Sequence, residues 1–105
     1  MKYSLIYITA RDKAEAKKIG RVLVKERLAA CVNIWDHMES IYWWKGKMEE
    51  GKEAVLIAKT RQAKVKPLIQ RVKELHSYVC PCIVALPITH GHRPFLDWLA
   101  GETRL

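Results

Sequence analysis

Residues 40–47 read Ser40-Ile41-Tyr42-Trp43-Trp44-Lys45-Gly46-Lys47, three large aromatics in a row running into a turn signal. On a strand, successive side chains point to opposite faces, so Trp43 looks one way and Tyr42 and Trp44 the other. A domain of 105 residues rarely has enough core to bury aromatics on both sides of one strand. The expectation is a sheet whose second face is covered by another copy of the chain, with Tyr42, Trp43 and Trp44 at the subunit interface.

Outward from this stretch the pattern extends both ways. Ala30 to Trp44 is rich in strand formers, broken only by Asp36-His37, where a bulge or bend is expected. Past the Lys45-Gly46 turn, a second turn signal stands at Glu49-Glu50-Gly51-Lys52. Lys52 to Thr60 then carries apolar residues on both parities, as does Lys2 to Thr9, and both read as strands buried on two faces. Between them, Asp12 and Glu15 form an N-cap with its capping-box partner. Ala16, Ile19, Val22 and Leu23 make one helical stripe, and the helix is expected to end near Arg27.

Val65, Leu68, Ile69, Val72 and Leu75 give the cleanest helical periodicity of the chain, with Pro67 tolerated in the first turn. Ile83 to Ile88 is the last strand, and Phe95, Trp98 and Leu99 suggest a short closing helix. The order βαββαβ with a helical tail predicts an α+β, ferredoxin-like split βαβ sandwich as a single domain over residues 1–105. Both helices then share one face of an antiparallel sheet. The apolar residues on the other face mark an interaction surface.

Composition narrows the function classes. Half of the residues are hydrophobic and 29% are charged, a globular balance. No apolar run approaches ~18 residues, and Met1-Lys2-Tyr3-Ser4 lacks a signal-peptide pattern, so a cytoplasmic protein without a membrane partner is expected. The net charge is +8, yet no block of like charges appears, which argues against nucleic acid as the main partner. Cys31, Cys80 and Cys82 are odd in number, and the last two are too close for an unstrained disulfide. Free thiols in a reducing compartment are expected, with Cys31 in the core.

No P-loop, dinucleotide glycine motif, nucleophile elbow or H-E-x-x-H is present, and no nucleophile–base–orienter set can be named. The expectation is therefore a non-enzyme without an organic cofactor. Asp36-His37 and Glu49-Glu50 read as solvated loop residues. Soft ligands do gather late in the chain: His76, Cys80, Cys82, His90 and His92. Two residues apart on an extended segment, the Cys80 and Cys82 sulfurs point the same way, and thiolate with imidazole suits copper or zinc. His76, Cys80 and Cys82 are the candidate metal ligands.

Glu26-Arg27-Leu28-Ala29-Ala30-Cys31-Val32-Asn33-Ile34, Glu39 to Lys47, Lys59-Thr60, Lys73-Glu74-Leu75-His76 and Phe95-Leu96-Asp97-Trp98-Leu99 together resemble the CutA divalent-cation tolerance proteins, end to end and in order. The resemblance implies a tight homotrimer with an architecture like that of the PII signalling proteins. It also implies a cytoplasmic role in tolerance of copper or another divalent cation. Some members carry a proposed copper site with a cysteine late in the first strand and two histidines after the second helix. Here Ile8 takes the first position and Leu75-His76 the pair. The family's Pro-Glu becomes Pro81-Cys82, a trade of carboxylate for thiol that points towards softer ions. The alternative reading is a PII-like signalling module that binds an anionic ligand or a protein partner at subunit clefts, drawn by Lys45, Lys47 and Lys59.

Overall fold

β1 (Tyr3–Ala10), α1 (Lys13–Lys25), β2 (Cys31–Trp44), β3 (Lys47–Arg61), α2 (Val65–Leu75), β4 (Ile83–Ile88) and α3 (Arg93–Glu102) follow one another in a computed structural model that describes residues 1–104. The sheet order is β2-β3-β1-β4, with every neighbouring pair antiparallel. This is the ferredoxin-like arrangement that the element order predicts.

Strand alternation sorts the side chains. Ile6, Ile8 and Ala10 of β1 lie opposite Ala58, Leu56 and Ala54 of β3. All six are fully buried under Ile19 and Leu23 of α1 and Leu68 and Val72 of α2. Each of the large aliphatic residues here stabilises the fold by roughly 1.5–3 kcal/mol through burial. α1 begins where Asp12 accepts the Glu15 N–H at 2.8 Å. The Glu15 carboxylate reaches back to the Arg11 N–H, one residue before the cap. Gly20 lets the helix press close to the sheet, since a Cβ there would stand 2.9 Å from Val32 Cγ2.

The other face of the sheet is covered only at one end. There α3 packs Leu96, Leu99 and Ala100 against Tyr3, Ala30 and Ile88. The closing helix thus forms as expected, but Phe95 and Trp98 stay partly exposed, their rings 5.5 Å apart. Val84 and Leu86 of β4 are about half exposed, and Trp35 of β2 is 71% exposed. Cys31 is not in the core. It pairs with Lys59 on this outer face, half-buried, its sulfur 3.9 Å from Lys59 Nζ.

β2 and β3 outrun the rest of the sheet and project as a two-stranded arm. β3 starts at Lys47, so Glu49-Glu50-Gly51-Lys52 is strand and not a second turn. Tyr42, Ile41 and Ser40 hold those residues extended by pairing with Glu49, Glu50 and Gly51. The radius of gyration, 14.2 Å, exceeds the roughly 13 Å of a compact chain of this length. Lys45 and Gly46 both have positive φ, 51° and 79°, which makes the arm's tip a two-residue type I′ hairpin turn.

Candidate functional site

The bulge expected at Asp36-His37 builds the site. Trp35 pairs with Val55 and Met38 with Glu53, so β2 spends one residue more than β3, and His37 takes φ 61°. The extra residue flips the parity of everything after it. Before the bulge Cys31, Asn33 and Trp35 lie on the face away from α1 and α2; after it Met38, Ser40, Tyr42 and Trp44 do. Trp43 and Ile41 point to the opposite side, beyond the reach of the helices, and are 75% and 66% exposed. The division of Trp43 from Tyr42 and Trp44 therefore stands as the sequence predicts.

Beneath the arm, where β1 ends, a cleft of about 710 Å³ opens between Tyr42 and Trp44 on one side and the loop after α2 on the other. Tyr7, Met38, Glu53 and Tyr78 line it, and so do the sulfurs' residues Cys80 and Cys82. Tyr7 Oη donates to Met38 Sδ at 3.5 Å. The Tyr78 hydroxyl donates to Glu53 Oε2 at 2.8 Å. Burial first, then the bond to Glu53, pushes the Tyr78 hydroxyl's pKa far above the usual tyrosine range. Burial and the nearby Glu53 carboxylate also push the Cys82 thiol up, so a metal bound there must displace its proton.

The loop is held from behind by backbone-directed side chains. His76 Nε2 lies 2.7 Å from the Thr9 carbonyl, and Nδ1 accepts the Tyr78 N–H at 3.1 Å. A carbonyl can only accept and an N–H can only donate, so the ring is the neutral tautomer protonated at Nε2. Glu15 Oε2 accepts the Ser77 N–H at 2.9 Å. Burial would raise the Glu15 carboxyl, but hydrogen bonds from Ser77 and Arg11 outweigh it and hold the pKa below the usual range.

The predicted ligands are thus brought together only in part. Cys80 and Cys82 share the cleft, both exposed. Both nitrogens of His76 are occupied by the backbone. His90 and His92 lie beyond β4, outside the cleft. Among the described residues, no group of three or more His, Cys, Asp or Glu side chains is arranged around a metal position. Lys45 and Lys47 sit at the arm's tip, whereas Lys59 lies about 40 Å along β3 and donates to Asn33 Oδ1 at 2.7 Å. One copy therefore does not join the three lysines in one anion site. Glu53 and Tyr78 were not foreseen as site residues; the only signal for Tyr78 was its place after His76.

A profile of the CutA1 divalent ion tolerance protein family matches residues 4–102. The chain is 46% identical over 99 residues to the divalent-cation tolerance protein CutA of Thermus thermophilus, covering 94% of this chain and 96% of that one. It is 43% identical over 100 residues to the chloroplastic protein CutA of Arabidopsis thaliana, covering 95% of this chain and 55% of that protein. The chain thus spans about half the length of that relative. A solved structure described as the periplasmic divalent cation tolerance protein CutA from Archaeoglobus fulgidus matches with a TM-score of 0.94 at 43% identity, over 97% of this chain and 99% of that one.

Proposed function

The chain belongs to the CutA1 divalent ion tolerance family, whose role is tolerance of divalent cations, and from that membership we propose that it acts as a non-catalytic homotrimer that takes up copper directly. The observation that carries the metal reading is the shared placement of Cys80 and Cys82 in one cleft. Soft thiolates select copper in its reduced form, which accepts two-coordinate geometry, whereas a tetrahedral zinc site needs ligands this cleft does not assemble. His76 can join the thiols only by releasing the Tyr78 N–H from Nδ1.

Assembly rests on the apolar surface that one copy leaves open. Trp35, Ile41, Trp43 and Met48 are each more than half exposed on the arm and the adjoining sheet. Exposure on that scale is what subunit burial removes. No helix among the described residues is long and apolar enough to cross a membrane, and three free thiols suit the reducing cytoplasm.

The test is titration of Cu(I), Cu(II) and Zn(II) into reduced protein and into a Cys80→Ser/Cys82→Ser variant. Cu(I) is expected to bind the parent protein at least about tenfold more tightly than the variant. Equal, millimolar-weak binding by both would overturn the metal reading.

A further inference from the structure

We propose that the outward face of α1 and α2 binds the phosphate backbone of double-stranded nucleic acid, independently of base sequence and of any metal. Neither helix belongs to the arm or to the sheet face that other copies cover. Ile19 and Leu23 of α1 and Leu68 and Val72 of α2 turn inward onto the sheet, so the opposite sides of both helices meet solvent.

Charge distinguishes this face. The five cations of α1, Lys13, Lys17, Lys18, Arg21 and Lys25, are all exposed, and none forms an ion pair among the described residues. Lys64 just before α2, with Lys66 and Lys73 on it, is unpaired in the same way. The neighbouring acids are already engaged. Glu26 and Glu74 both accept from Arg71, Asp12 caps α1, and Glu15 accepts the N–H groups of Arg11 and Ser77. These eight cations equal the chain's whole excess of +8, since the other 11 Lys and Arg are matched by 11 Asp and Glu. A charge that looks dispersed along the sequence is gathered by the fold on one side of the molecule.

Geometry selects the polyanion. Lys13, Lys17, Arg21 and Lys25 recur every four residues, in steps of about 6 Å over about 18 Å of helix. One strand of a duplex offers a phosphate every ~3.4 Å of its axis, or about five over that length. α2 runs beside α1, tied to it by Arg71 and Glu26 at 3.0 Å, and sets its lysines in a second row. Packed helix axes lie about 10 Å apart, close to the roughly 12 Å width of the major groove, so the two rows can meet phosphates of both strands. Neither α1 nor α2 contains an aromatic residue, so the stacking platform that single strands use is missing. Val24, 39% exposed, is the one large apolar side chain that these two helices show to solvent, too little to seat them in a lipid surface.

The probe is a labelled DNA duplex of mixed sequence, titrated with the reduced, chelator-treated protein and read by fluorescence anisotropy between about 50 and 200 mM salt. A Kd on the order of 1–100 μM is expected near physiological salt, with log K falling against log salt at a slope of about −4 or steeper. Lys17→Gln/Arg21→Gln/Lys25→Gln is expected to weaken binding at least about tenfold and to flatten the slope by about three. Lys2→Gln/Lys52→Gln/Arg104→Gln removes as much charge elsewhere and is expected to leave Kd within about twofold and the slope unchanged. Melting curves verify that each variant is folded. Equal losses in the two variants would mark a response to net charge alone and overturn the proposal, as would no saturation at about 1 mM protein in about 50 mM salt. Equal binding of polyglutamate, or tighter binding of phosphatidylserine vesicles than of the duplex, would overturn it too. Failure of copper binding alone would leave it standing.

Discussion

The Tyr78 hydroxyl lies 2.8 Å from Glu53 Oε2, and this one bond ties the loop after α2 to the root of the projecting arm. The loop carries Cys80 and Cys82 and the arm carries Tyr42 and Trp44, so both walls of the cleft depend on it. Tyr78→Phe keeps the ring and removes the donor, leaving a half-buried carboxylate unsatisfied. The expected cost is about 1–2 kcal/mol in urea unfolding, with the Trp44 indole signal shifted as the cleft relaxes.

Glu15 serves two N–H donors on different segments, Arg11 at 2.8 Å and Ser77 at 2.9 Å. Its pKa is depressed in the folded state, so its contribution is present above the ordinary glutamate range and is lost as pH falls through the folded value. Glu15→Gln offers one acceptor oxygen in place of two. At pH 7 it is expected to cost about 1–3 kcal/mol, and the acid side of the stability profile should flatten. Urea midpoints at neutral and acid pH check both halves.

What the sequence could and could not tell about this region follows from the range of the interactions. Local patterns were legible: both parities apolar in β1, the stripe of α2, and the bulge at Asp36-His37. The fold followed from them, whereas the family followed from the resemblance of motifs such as Glu26 to Ile34 and Glu39 to Lys47. The extent of β3 was not legible, because Glu49-Glu50-Gly51-Lys52 is turn-like in composition and is kept extended only by its partners in β2. Cys31 was expected in the core because its neighbours are apolar, but the register with Lys59 turns it outward. Nor could spacing show that His76 is held by Thr9, a residue from the far end of the chain.

Two glycines test packing against propensity. Alanine is the better helix former by roughly 1 kcal/mol. At Gly101 a Cβ meets nothing within 4 Å, so Gly101→Ala is expected to stabilise by about 0.5–1 kcal/mol. At Gly20 the Cβ would meet Val32 Cγ2 at 2.9 Å and Leu56 Cδ1 at 3.3 Å. Gly20→Ala is therefore expected to destabilise by about 1–3 kcal/mol despite its propensity. Thermal melts of the two variants should move in opposite directions.

The arm's tip offers a purely conformational test. Gly46 has φ 79° and open space where its side chain would be. Gly46→Ala thus meets no clash but must adopt a left-handed backbone, at a cost of about 1–2 kcal/mol. Lys45→Asn, at φ 51°, is expected to gain a few tenths. Amide exchange along residues 40–51 reads both effects at the turn.

The central claim is that the apolar arm and outer sheet face of one copy are closed by two others. Sedimentation equilibrium at micromolar concentration measures this directly, since one chain weighs 12.2 kDa. A folded species of about three times that mass is the expected result, with Trp35→Glu/Trp43→Glu reducing it. A well-folded parent protein sedimenting at 12.2 kDa would contradict the account.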